Sequence, residues 1–144
     1  MKRHIKTLAP VLITFFAVAG VQILNAQIIN AIQAHVEHSF VIGDKTLPAG
    51  DYTFRMTTDP DQSLMIATNQ NGTNVAQFLV RQSIDGHKPS HSELVFHKYG
   101  NIEFLSRIFE AGSKNGAAVT ETGKQEARLM DQGQQAVEHS EVQK

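Results

Sequence analysis

From Gln33 to Glu110 the apolar positions of this chain recur every second residue, the pattern of strands that bury one face. Val36, His38, Phe40 and Ile42 alternate with His35, Glu37, Ser39 and Val41, which predicts a single strand. Gly43 to Gly50 then reads as a turn region, where glycine supplies unusual backbone angles and Pro48 lacks the donor a strand interior needs. The cleanest alternation follows, with Tyr52, Phe54 and Met56 on one side and Thr53, Arg55 and Thr57 on the other. Asp59-Pro60-Asp61 ends it. Leu64 to Thr68 and Asn74 to Val80 predict a hairpin about Asn71-Gly72, a dipeptide suited to positive φ at both positions. A polar loop, Ser83 to Ser90, precedes a second hairpin with arms Glu93 to Tyr99 and Ile102 to Phe109, joined at Gly100-Asn101. Six strands at this spacing predict an all-β fold over residues 33–110, a small antiparallel sandwich or open barrel.

Beyond Glu110 the pattern thins. Gly112 to Gly116 reads as a loop, and Thr122 with Gln125 has capping-box spacing. Ala127, Met130 and Val137 make a narrow apolar stripe, and Gly123 and Gly133 each weaken a helix by about 1 kcal/mol. Residues 111–144 are therefore expected to hold a loop, a marginal helix and a flexible or disordered tail. Deleting Gln134 to Lys144 is expected to cost less than about 1 kcal/mol, for want of apolar surface to bury.

The N-terminus reads as an export signal. Lys2, Arg3 and Lys6 form a positive region, and Val11 to Gly20 is an uncharged apolar run. The apolar stretch from Leu8 to Leu24 is 17 residues long, short for a spanning helix, which needs about 20. Cleavage after Ala26 is expected, making residues 1–26 a signal peptide. Ala17-Val18-Ala19 offers another small-x-small site, and an uncleaved anchor is the remaining alternative.

Removing 1–26 leaves 118 residues, one domain's worth, with 10 basic and 14 acidic side chains and a net charge of −4. That balance disfavours nucleic acid or an anionic membrane as partner, since both need clustered cations. The chain has no cysteine, which closes disulfides, thiolate metal sites and lipid attachment at a cleavage-site cysteine. An exported chain without cysteine fits a bacterial envelope better than the disulfide-stapled domains secreted by animals. The expected location is the periplasm or the medium, with membrane contact only through an uncleaved signal.

Two segments carry a resemblance. His38 to Phe54 (HSFVIGDKTLPAGDYTF) resembles the FxVGxxxLPAGxYxF opening of a functionally uncharacterised family of small exported β-proteins of soil bacteria. Leu94-Val95-Phe96-His97-Lys98-Tyr99-Gly100, followed by Phe104-Leu105, resembles that family's LVFHxYGxxxFL hairpin. The resemblance runs from about Ala34 to Phe109 and implies a β fold, with no catalytic residue to carry over. The chain departs from the pattern by placing Glu37-His38 where a Pro-Phe pair is usual. The Leu-Pro-Ala-Gly-x-Tyr turn is also similar to that of transthyretin-like β-modules.

Candidate chemistry is sparse. His87, His91 and His97 have a His-x3-His-x5-His spacing that could hold zinc or copper, but Pro89 forbids the helix that would align the first two, so they read as solvated histidines. His38 reads as a hydrogen-bonded, half-buried histidine. Asp59, Asp61 and Asp85 read as turn formers, lacking the alternating oxygens of a calcium loop. Asn71-Gly72-Thr73 matches a glycosylation sequon but reads as hairpin chemistry. Gly112 to Gly116 places its serine one position early for a nucleophile elbow, and no phosphate-cradling loop is present. No catalytic, cofactor-binding or metal-ligating residue is assigned from sequence, and no cofactor is expected.

The last hairpin arm is bulky on both faces, with Ile102, Phe104 and Ile108 against Leu105 and Phe109. Such a strand is either covered on both sides or lines a cavity, for which Phe54, Phe78 and Phe104 are the candidate walls. The expectation is a non-enzymatic exported β-domain, an envelope structural or protein-interaction module whose partner is not readable from sequence, the candidates being another envelope protein or a hydrophobic small molecule. A small carrier or sensor of a hydrophobic molecule is the alternative, and a metal-binding protein or hydrolase the third.

Overall fold

The computed structural model describes residues 31–57 and 63–144; the N-terminal segment read as an export signal and Asp59-Pro60-Asp61 lie outside the described residues. The strands are β1 (Ile32–Val36), β2 (Phe40–Ile42), β3 (Lys45–Leu47), β4 (Gly50–Met56), β5 (Leu64–Asn69), β6 (Asn74–Ile84), β7 (Glu93–Tyr99), β8 (Ile102–Phe109), β9 (Asn115–Val119) and β10 (Val137–Val142). Among the described residues one helix, α1 (Lys124–Asp131), lies between β9 and β10. The fold is all-β, and its mostly antiparallel sheet is not closed into a barrel.

Strand β6 passes between two layers. Its first half pairs with β5, continuing the order β1-β4-β5-β6, and Val80 to Ile84 pair with β9 in the second layer. There β8 is central, flanked by β7 on one edge and by β9 and β2 on the other, and β10 extends the sheet beyond β7. The β2–β8 pairing is parallel, at Val41 and Phe104. Both layers feed one apolar interior, where Phe54, Met65 and Phe78 of the first meet Phe40, Phe96, Leu105 and Ile108 of the second. Phe40 sets its ring edge-on to Tyr52 at 5.2 Å and to Phe96 at 5.8 Å, the geometry that puts ring edges on ring faces. Tyr52 closes the turn before it by donating its hydroxyl to the Pro48 carbonyl at 2.6 Å.

Several expectations are corrected. The stretch from His35 to Ile42 is two strands: it breaks at Glu37 to Ser39, so that β1 joins the first layer and β2 the second. The segment read as turn from Gly43 to Gly50 contains the short strand β3. At the first hairpin only Gly72 has positive φ, at 77°. The loop is three residues long, with Gly72 N–H bonded to the Asn69 carbonyl and Asn69 N–H to the Thr73 carbonyl, so a type I turn and one left-handed glycine suffice.

The C-terminal third departs most. Asn115–Val119, read as loop, is strand β9, and it bridges β6 to β8. Its small residues explain the misreading: Gly116 lies against the Phe109 ring, where a Cβ would stand 2.5 Å from a ring carbon. The capping box does not form. Gly123 is the N-cap, and the Asp44 side chain accepts from Lys124 N–H at 2.6 Å. Only glycine fits at 123, because a Cβ there would stand 1.8 Å from the Gly43 carbonyl oxygen. The helix turns Glu126 and Leu129 to the sheet, while Met130 is exposed. The tail expected to be flexible forms β10, six residues in register with β7.

Candidate functional site

One polar cluster forms at a rim of the sandwich. Side chains alternate along a strand, so partners across an antiparallel ladder share a face. His139 is opposite Phe96, Glu141 is opposite Leu94, and Glu103 stands two residues before Leu105 on β8. All three therefore project from the face that forms the interior. His38 arrives from the break between β1 and β2.

Glu103 is the hub, with 6% of its side chain exposed. Its Oε2 accepts from His139 Nδ1 at 2.7 Å, and its Oε1 lies 2.9 Å from Lys98 Nζ. His38 Nε2 approaches the same Oε2 at 2.9 Å but too obliquely to make a hydrogen bond. On the other side of the ring, His38 Nδ1 lies 2.9 Å from Glu141 Oε1. The His38 ring stands edge-on to Phe96 at 5.2 Å and 5.8 Å from the His139 ring, so the interior's last aromatic is one wall of the cluster. Burial alone pushes the Glu103 carboxyl up. The hydrogen bonds from His139 and Lys98 and the charges of His38 and His139 reverse this, holding it below the usual carboxylate range. These groups line an open groove of about 550 Å³. His38, His139 and Glu141 offer ligand atoms that all lie within 4.8 Å of one another.

A second polar constellation occupies the outer face of the same sheet. Ser106 Oγ lies 3.0 Å from His97 Nε2, and His97 Nδ1 lies 3.1 Å from Glu126 Oε1. The order and distances match a serine–histidine–carboxylate relay. Ser106, however, is the extra residue where the β7–β8 register shifts, in a strand paired on both edges rather than at a sharp exposed turn. The rim groove does not reach it. Nearby, burial raises the Tyr99 phenol and the Glu126 carboxylate raises it further.

The histidines singled out by spacing do not act together. His97 belongs to the relay, His91 lies 3.0 Å from Ser90 Oγ, and His87 lies beside Asp85 and Glu93. Asp85 behaves as a turn former, accepting from His87 N–H, and that bond leads the contributions that lower its carboxyl. His38 is half-buried as expected, but its neighbours are two carboxylates. Phe54 and Phe78 line the interior, whereas Phe104 packs on the opposite face with Val41, Tyr99 and Leu129, so these three do not wall one cavity. A larger groove of about 810 Å³ over the first sheet contains the pair His35 and Asp51, 2.7 Å apart and each 61% exposed, a solvated and weak contact.

Sequence reasoning missed His139, Glu141 and Glu103 as a set. The one local signal was period-two placement of His139 and Glu141, in a segment read as tail. No family model, curated protein or solved structure matches this chain.

Proposed function

We propose that this chain is an exported, non-enzymatic β-sandwich module of a bacterial envelope, structural or protein-binding in role, and related to the small exported β-proteins that two of its segments resemble. The observation that carries the reading is the closure of β8 on both faces. Leu105 (4% exposed) packs into the shared interior, and Phe104 (2%) packs under Tyr99 and Leu129. A carrier needs an apolar cavity, and the residues that sequence offers as its walls are divided between two packed clusters. The setting of Ser106 supports the non-enzymatic part, because it lies within a strand, away from the rim groove, rather than at a sharp turn that would present its hydroxyl to a substrate.

Three measurements test this reading. Intact-mass analysis of the exported fraction should show a chain beginning at Gln27; full-length protein in membranes would replace export with anchoring. A fluorescent fatty acid should show no saturable binding; one-to-one binding sensitive to Phe104→Ala would favour the carrier. A fluorophosphonate probe should leave Ser106 unlabelled; labelling lost in His97→Ala would make the protein a hydrolase.

A further inference from the structure

We propose that the rim cluster is a metal site, in which His38, His139 and Glu141 bind one divalent ion of borderline softness, Zn²⁺ or Cu²⁺. The proposal stands apart from the export and module readings.

Four observations support it. The first is convergence from distant parts of the chain. His38 comes from the β1–β2 break, and His139 and Glu141 from one face of β10, yet their ligand atoms lie within 4.8 Å of one another. Ligands of a tetrahedral ion at about 2.1 Å stand roughly 3.4 Å apart, so side-chain rotation alone can close the set.

The second is unspent binding capacity. His38 Nε2 and Glu141 Oε2 are buried and make no hydrogen bond, His38 Nε2 although it stands 2.9 Å from Glu103 Oε2. Buried polar atoms are almost always paired, and two unpaired ones in a single cluster of possible ligands point to an occupant.

The third is the role of Glu103. It accepts from His139 Nδ1, which leaves the other ring nitrogen of His139 as the basic one. A carboxylate behind a ligating histidine fixes its tautomer and orientation in this way. Lys98 holds Glu103 in turn at 2.9 Å, so the support is itself anchored.

The fourth is charge and donor type. Glu103 and Glu141 against Lys98 leave the cluster one negative charge in excess when the imidazoles are neutral, and Glu37 also lines the groove. Two imidazoles and one carboxylate select zinc or copper over calcium and magnesium, which take oxygen ligands. The open groove leaves room for water or a partner's side chain at the remaining coordination position.

Because the ligands join the tail strand to the β1–β2 connection, an ion bound there links β10 to the rest of the fold. Binding is therefore expected to raise the melting temperature as well as to register calorimetrically.

The test uses the untagged full chain stripped with chelator and titrated with zinc chloride and, separately, copper sulfate. One equivalent is expected to bind, with a rise in melting temperature, and the copper form should show nitrogen couplings from two imidazoles in its electron paramagnetic resonance spectrum. His139→Ala and Glu141→Gln should each weaken binding at least tenfold, and Glu103→Gln by about 10- to 100-fold through its support of His139. His87→Ala and His91→Ala should leave affinity unchanged. Glu141 is partly exposed, so Glu141→Gln decides the matter if a histidine variant fails to fold. Absence of stoichiometric binding, or binding that survives both Glu141→Gln and His139→Ala, would overturn the proposal.

Discussion

Leu105 and Glu103 stand two residues apart on the same face of β8 and are equally buried, at 4% and 5% exposed, yet they belong to opposite kinds of environment. Leu105 meets apolar side chains from both sheets. Glu103 meets two imidazoles and an ammonium group. The difference arises across the interface. Opposite Leu105 lies the packed apolar face of the first sheet, while over Glu103 lie the β1–β2 break and β10. A buried carboxylate is costly unless charge and hydrogen bonds return what water supplied, and the rim supplies both. Burial alone therefore does not distinguish core from site; the chemistry of the covering residues does.

The largest expected effect is at Leu105. Leu105→Ala should lower the unfolding free energy by about 2–5 kcal/mol, the range for emptying a packed core position. A loss under about 1 kcal/mol in chemical denaturation would mean that the interior is not close-packed there. At the rim, Glu103→Ala should cost less, about 1–3 kcal/mol, because it leaves Lys98, His38 and His139 without their common acceptor. If the two variants prove equal in cost, the contrast between interior and rim fails as an energetic statement.

Deleting Gln134 to Lys144 comes next, at about 1–2 kcal/mol. It takes His139 from Glu103 and Glu141 from His38, while releasing the ordering entropy of the tail. This revises the smaller cost expected when the segment was read as unstructured. Unchanged amide protection along β7 after the deletion would show that β10 does not pair.

The smallest effect is at Tyr52, on the interior side. Burial raises its phenol above the ordinary value near 10, so between that value and the raised one the folded protein holds a proton the unfolded chain has lost. The stabilisation is present in full below about pH 10 and is lost as pH rises through the raised value. Tyr52→Phe should make the alkaline limb of stability against pH shallower, with Tyr99, also raised, accounting for the remaining slope. A limb of unchanged steepness would place the alkaline loss elsewhere.

Period-two alternation of large side chains was enough to locate β4, β5, β7 and β8, because each buries bulky residues on at least one face and ends at glycine or a polar turn. It failed at β9, whose buried residues Gly116, Ala117 and Ala118 are small, Gly116 because the Phe109 ring lies against it. It failed again at β10, which is mostly polar because it lies at an edge. The candidate site was less legible than the fold. Its ligands are separated by about a hundred residues, and His139 and Glu141 carry no meaning as ligands until β10 is placed beside β7.

Local sequence therefore determined the strand class, the two hairpins and the absence of cysteine chemistry, since these follow from side-chain alternation, turn residues and composition. The tertiary structure decided which layer each strand joins, that the stretch from His35 to Ile42 is split between layers, and that Glu103 is buried among one ammonium group and two imidazoles. The physical reason is range. Alternation and turn geometry act over a few residues, whereas a buried charge is stabilised only by groups that long-range strand pairing brings to it.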